Sequence, residues 1–135
     1  MVGILIVSHG AFGEALIHSA SHVMGERPTC VRPIGVTVHD DPDAIVSIAR
    51  ALVRELDDGS GVLVLTDMYG ATPGNIAMNL LENGRVEGLS GVSLPMLVRA
   101  LTYRNEPLAK VVEKALSGCN EGVVHMNTGL RNGKC

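Results

Sequence analysis

Short apolar runs recur along the chain, and each is rich in branched aliphatic side chains. Four of them are long enough to form buried strands; they lie at residues 2–7, 31–36, 61–66 and 89–94. Continuous apolar runs, without alternating polar residues, are typical of strands that are covered on both faces. The second run contains Pro33, which a strand near the edge of a sheet tolerates. A shorter run at 123–126 predicts a short last strand.

Between these runs, apolar residues recur at spacings of three and four, the period of an amphipathic helix. The first such segment begins near Phe12 and ends at Gly25, a typical C-cap residue. The second begins with Asp41-Pro42, an N-cap residue followed by proline at the first helical position. Further helices are expected at residues 72–84 and 95–118, the latter restarting at Pro107.

The alternation of strands and helices predicts parallel strand pairing through right-handed crossovers. We therefore expect an α/β fold, an open three-layer sandwich. One domain should span residues 1–135, since the sequence has no linker, repeat or low-complexity stretch.

Composition narrows the range of functions. The chain is 46% hydrophobic and 19% charged, which is typical of a globular protein. Its net charge of -3 and its aromatic content of 2% argue against a nucleic-acid-binding face. The N-terminus has no basic leader and no run approaches the roughly 20 apolar residues of a membrane span, so we expect a cytoplasmic protein. The three cysteines, Cys30, Cys119 and Cys135, lack metal-ligand spacing and are expected to be free thiols.

Polar residues that could take part in catalysis follow the first and third predicted strands. His9 follows the first, and Asp67 follows the third. Ligands bind beyond the carboxyl ends of parallel strands, where the strand order reverses. If the order is 2-1-3-4, His9 and Asp67 face each other, and the carboxylate can fix the imidazole tautomer and stabilise the charge that grows on nucleophilic attack. Alternatively, His9 is a structural residue and Asp67 a cap or turn residue.

Each of these strand ends also leads into a predicted helix, whose first backbone N–H groups can hold a phosphoryl group. Five residues form this candidate phosphate-binding set: Gly10, Ala11, Gly70, Ala71 and Thr72. The glycines allow close backbone approach, and Thr72 adds a hydroxyl.

The other histidines give weaker signals. His18 and His22 have the i,i+4 spacing of a helical metal pair, but no third ligand is evident, and solvated surface residues are the simpler interpretation. His39 follows the second strand and is either a loop residue or part of the site's rim. His125 is expected to pack or to face solvent. We predict no metal site and no cofactor; a flavodoxin-like flavin site would need aromatic side chains that the chain nearly lacks.

Three blocks of the sequence resemble the mannose-class IIA component of the bacterial sugar phosphotransferase system (PTS). They are ILIVSHG at 4–10, VLVLTD with GATP at 62–73, and GVSLPML at 91–97. The resemblance implies phosphorylation of His9 through Nε2, with Asp67 orienting the ring through Nδ1. Thr72 stands where the family usually has serine, which keeps the hydroxyl. Residues Met68-Tyr69 depart from the family, which puts partner recognition in doubt.

The resemblance also implies partners and an assembly. The donor would be the histidine phosphocarrier protein HPr, and the acceptor a IIB component, with only indirect contact with the membrane through a IIC/IID permease. The family fold has four parallel strands ordered 2-1-3-4 and an antiparallel edge strand exchanged in a homodimer, for which residues 123–126 are the candidate. No IIB domain follows in this sequence, so a free-standing regulatory protein, in which the state of His9 controls partner binding, is the alternative.

Overall fold

The computed structural model describes residues 1–128 and shows a four-stranded parallel sheet in the order β2-β1-β3-β4. The predicted α/β class and strand order are confirmed. In chain order the elements are β1 (Gly3–His9), α1 (Phe12–Met24), β2 (Val31–Val36), α2 (Pro42–Leu56), β3 (Val62–Thr66), α3 (Thr72–Met78), β4 (Val86–Leu89), α4 (Leu94–Tyr103) and α5 (Leu108–Gly122).

Successive side chains of β1 supply two separate hydrophobic cores. Ile4 and Ile6 pack on one face of the sheet with α1, α4 and α5, while Leu5 and Val7 pack on the other face with α2 and α3. All four side chains are fully buried. The continuous apolar run thus reflects a central strand covered on both faces, and the sandwich has the three expected layers.

The ends of the first two helices follow the predicted capping signals. Gly25 ends α1 in the left-handed conformation, with φ +88°. Asp41 caps α2 by accepting a hydrogen bond from the Asp43 N–H, and Pro42 occupies the first turn.

Two predicted boundaries after β3 are wrong. The fourth strand is Val86–Leu89 rather than 89–94, because the chain turns at Gly91, with φ +73°, and Ser93 then caps α4. The segment 89–94 is apolar because Val92 is buried, although it lies in a loop rather than a strand. Helix α3 ends at Met78 rather than near residue 84, since the chain then folds into a turn closed by Glu82 and Val86.

The last helix also differs from expectation. It continues past the predicted end at residue 118 to Gly122. Gly118 is an interior helical residue, and a side chain there would collide with the Arg99 Cβ and the Pro95 carbonyl oxygen. This glycine is therefore explained by the close packing of α4 on α5, not by a helix end.

The predicted last strand at 123–126 is not formed within the described chain. Residues 123–125 follow α5 without regular structure, and the side chains of Val123, Val124 and Met126 are exposed. This result applies to one chain on its own. An exchanged strand would form only by pairing with a second subunit, so the exchange stays a prediction. Cys135 lies outside the described residues.

A buried arginine fastens the amino-terminal edge of the sheet. Arg104, just after α4, donates hydrogen bonds to the carbonyl oxygens of Val2, Thr29 and Cys30. It is 6% exposed, and burial lowers the pKa of its guanidinium. These bonds anchor the starts of β1 and β2 and so position the strands that lead to the site.

Within residues 1–128, none of the helices combines the length and the apolar character that crossing a membrane requires.

Candidate active site

The parallel pairing of β1 with β3 brings His9 and Asp67 together. Val7 lies opposite Thr66 in the register, so the next residues of both strands emerge at the same edge of the sheet. His9 is the last residue of β1, and Asp67 directly follows β3. The adjacency expected from the order 2-1-3-4 is present.

One carboxylate oxygen of Asp67 binds His9 twice. The Oδ2 atom lies 2.8 Å from the ring Nδ1 and accepts a hydrogen bond of 3.0 Å from the His9 backbone N–H. The Asp67 side chain is 14% exposed, whereas the His9 side chain is 55% exposed. The largely covered carboxylate therefore holds the ring through Nδ1, while the ring itself remains accessible.

The electrostatics of Asp67 favour its charged form. Burial alone would raise the pKa of this carboxyl, but the hydrogen bonds from the backbone and the ring of His9 outweigh burial and lower the pKa below its usual value. A carboxylate can only accept, so a neutral ring must carry its proton on Nδ1 to make this bond. Nε2 then holds the lone pair and is the nucleophilic nitrogen.

An open cavity of about 580 Å³ lies beside the imidazole. Two members of the candidate phosphate-binding set, Gly10 and Thr72, line it together with His9. The other three members, Ala11, Gly70 and Ala71, are not part of its lining. Ala11 and Ala71 are the N-cap residues of α1 and α3, and neither helix has a side-chain cap there.

The backbone N–H of Gly10 already has a partner within the fold. Its backbone N–H donates to the Val36 carbonyl oxygen at 3.0 Å and is therefore occupied. The residue adopts φ +50°, in the left-handed region that favours glycine. Gly10 thus shapes the turn after His9, and an anion would have to use neighbouring N–H groups.

Two features of the site were not found from the sequence. Ser8, fully buried, accepts a hydrogen bond from the Gly13 N–H at 2.9 Å and so fixes the first turn of α1. Across the cavity, Asp40 accepts from both the N–H and the hydroxyl of Thr37, at 2.8 and 3.1 Å. The Thr-x-x-Asp spacing of this loop was a usable signal, because short polar side chains brace turns in this way.

The remaining histidines lie outside this cavity. His39 is exposed and is not part of the lining, although its neighbours Val38 and Asp40 are. His125 is exposed beyond α5. His18 and His22 are exposed on α1, in contact with each other.

The chain matches one family along most of its length. The family model described as "PTS system fructose IIA component" covers residues 3–116. The chain is 30% identical over 125 residues to the PTS system mannose-specific EIIAB component of Escherichia coli strain K12, a match that covers 90% of this chain and 38% of that relative. It is 27% identical to the PTS system fructose-specific EIIA component of Bacillus subtilis strain 168, covering 77% of this chain and 71% of that relative.

Solved structures give the same result. The phosphotransferase system component EIIA from Streptococcus agalactiae has a TM-score of 0.81 and 31% identity, covering 95% of this chain and 99% of that chain. The mannose/sorbose specific IIA subunit from Enterococcus faecalis shares the fold, with a TM-score of 0.79 and 21% identity over 91% of this chain and 92% of that chain.

The turn after His9 packs directly against Gly35 of β2, and this contact gives a testable prediction. A side chain at Gly35 would collide with the Gly10 carbonyl oxygen, a backbone atom that cannot rotate away. We expect Gly35→Ala to lower the free energy of unfolding by about 1–3 kcal/mol and to shift the amide resonances of His9 and Gly10. Urea denaturation and ¹H–¹⁵N spectra measure both effects.

The matched control is Gly88→Ala in β4, where the new methyl group meets the flexible end of Leu81 at 2.8 Å. It should cost less stability and leave the His9 resonance in place. Equal effects of the two substitutions on His9 would contradict a specific contact between Gly35 and the turn.

Proposed function

The chain belongs to the mannose-class EIIA family of the bacterial sugar phosphotransferase system, and on that premise we propose that His9 carries the phosphoryl group. It accepts the group from the phosphohistidine of HPr and passes it to a IIB component. The observation that carries this proposal is the His9 Nδ1–Asp67 Oδ2 hydrogen bond of 2.8 Å on a half-exposed imidazole.

The reaction is an exchange of one N–P bond for another. The Nε2 lone pair attacks phosphorus, the N–P bond of the donor breaks, and its electron pair returns to the donor imidazole. Positive charge then spreads over the His9 ring, and the Asp67 carboxylate stabilises it through the Nδ1 proton. Transfer to the acceptor runs the same steps with His9 as the leaving group. No cofactor or metal is required.

We propose that the phosphoryl group binds in the cavity beside His9. Thr72 lines this cavity, and its hydroxyl group can donate to a phosphoryl oxygen. Because the Gly10 N–H is occupied and Ala11 and Ala71 lie outside the cavity lining, backbone donation from the first N–H groups of α1 and α3, which have no intrahelical partners, stays a prediction. Gly10 and Gly70 contribute the left-handed turns, with φ +50° and +83°, that place these groups.

The surface around the site has apolar side chains that a protein partner could contact. Exposed apolar side chains adjoin both site residues along the chain: Phe12 near His9, and Met68 and Tyr69 after Asp67. Apolar side chains left in water at a polar site are typical of a docking surface for another protein. We propose that donor and acceptor dock on this surface in turn, and that Met68 and Tyr69, which depart from the family pattern, influence which acceptor is used.

The proposal places the protein in the cytoplasm, as one IIA domain over residues 1–135 that forms a homodimer. The chain spans 38% of the length of the Escherichia coli EIIAB relative. Contact with the membrane would be indirect, through a IIC/IID permease.

The first test is phosphorylation in vitro. With labelled phosphoenolpyruvate, Enzyme I and HPr, the protein should take up one acid-labile, base-stable phosphoryl group, and His9→Ala should take up none. His125→Ala, which removes another exposed histidine, should be labelled like the natural protein. Absence of label, or label that persists in His9→Ala, would contradict the proposal. Loss of the label to a IIB protein indicates transport, and retention favours the regulatory alternative.

The second test isolates the role of Asp67. We expect Asp67→Asn to slow phosphoryl transfer about 10- to 100-fold, the loss of one charge-assisted hydrogen bond in the transition state. The amide carries no charge to stabilise the ring, and its NH2 group can pair with an unprotonated Nδ1. Quench-flow transfer rates measure the effect, and circular dichroism checks that the fold is retained. Unchanged rates would reduce Asp67 to a structural role.

A further inference from the structure

We infer that His18 and His22 form a surface binding site for a transition-metal dication of the Zn²⁺ class. The two residues lie one turn apart on α1, and both are exposed. Their Nε2 atoms are 3.4 Å apart, while the ring centroids are 4.9 Å apart. The Nε2 edges therefore face each other, on a site separate from the His9 cavity.

The separation of the two nitrogens matches tetrahedral coordination. Zn–N bonds of about 2.0–2.1 Å at the tetrahedral angle place two ligand nitrogens roughly 3.3–3.4 Å apart. The rings are nearly perpendicular, with an interplanar angle of 89°, so they do not stack and either can turn its lone pair toward a common ion. Each imidazole would ligate in the neutral form with its proton on Nδ1.

Only the two histidines are expected to ligate the ion, because the nearby acidic side chain is already paired. Glu14 lies one turn earlier on α1, but both of its oxygens pair with Arg27, at 2.9 and 3.1 Å. Among residues 1–128, no cluster of three or more histidine, cysteine, aspartate or glutamate side chains could hold a metal ion. Water would fill the other coordination positions, which gives an open and exchangeable site.

The donor set selects the class of ion. Imidazole nitrogens suit Zn²⁺, Ni²⁺ and Cu²⁺, whereas Mg²⁺ and Ca²⁺ prefer oxygen ligands. Because the i,i+4 pair exists only when α1 is helical, the ion binds the folded chain better than the unfolded chain. Occupancy should therefore stabilise the protein, and α1 in particular.

The test is a titration of the full chain with zinc chloride, followed by NMR of the imidazole C–H signals. Of the five histidines, the signals of His18 and His22 should shift together and saturate at one equivalent. The thermal midpoint should rise by on the order of 5–10 °C when Zn²⁺ exceeds its Kd a hundredfold. Magnesium chloride at the same concentration should change neither.

Single substitutions complete the test. His18→Ala and His22→Ala place a good helix former on an exposed face, so both variants should fold. Each should abolish the one-equivalent saturation and most of the thermal shift, and the matched control His39→Ala should retain both. Undiminished binding by His18→Ala or His22→Ala, or saturation confined to other histidines, would overturn the inference. The outcome is independent of phosphorylation at His9.

Discussion

The hydrogen bond between the His9 Nδ1 and the Asp67 Oδ2 is the interaction on which the account of this site depends. It is 2.8 Å long, and the same oxygen also receives the His9 backbone N–H. The carboxylate is thus tied both to the ring and to the main chain that carries the ring. This double attachment sets which nitrogen is protonated and which direction the other nitrogen faces.

The packing of the sheet makes that hydrogen bond possible, whereas the hydrogen bond is not what holds the sheet together. Aliphatic side chains such as Ile4, Leu5 and Leu63 are fully buried, and each contributes roughly 1.5–3 kcal/mol on burial. A single charge-assisted hydrogen bond contributes about 1.5–3 kcal/mol, so the two cores far outweigh the site in fixing β1 beside β3. The ends of rigid neighbouring strands therefore hold the two side chains in register without help from the site itself.

Much of this arrangement could be predicted from the sequence. Buried parallel strands have a strong signature, and the strand ends then identify His9 and Asp67. The wrong predictions are local: the apolar pattern of 89–94 predicts a strand, but Val92 is buried in a loop and Gly91 turns the chain. No local sequence pattern reveals contacts between distant segments. Examples are the hydrogen bonds of Arg104 and the close packing of the Gly10 carbonyl against Gly35. The hydrogen bond from the Gly10 N–H to the Val36 carbonyl oxygen likewise has no local sequence pattern.

The most direct measurement is the tautomeric state of the His9 ring, read from ¹⁵N chemical shifts and long-range ¹H–¹⁵N couplings. It is made on the unphosphorylated protein at mildly alkaline pH. We expect a protonated Nδ1 and an unprotonated Nε2 for His9. A ring protonated mainly on Nε2 would contradict it, because the nitrogen assigned to attack phosphorus would have no free lone pair.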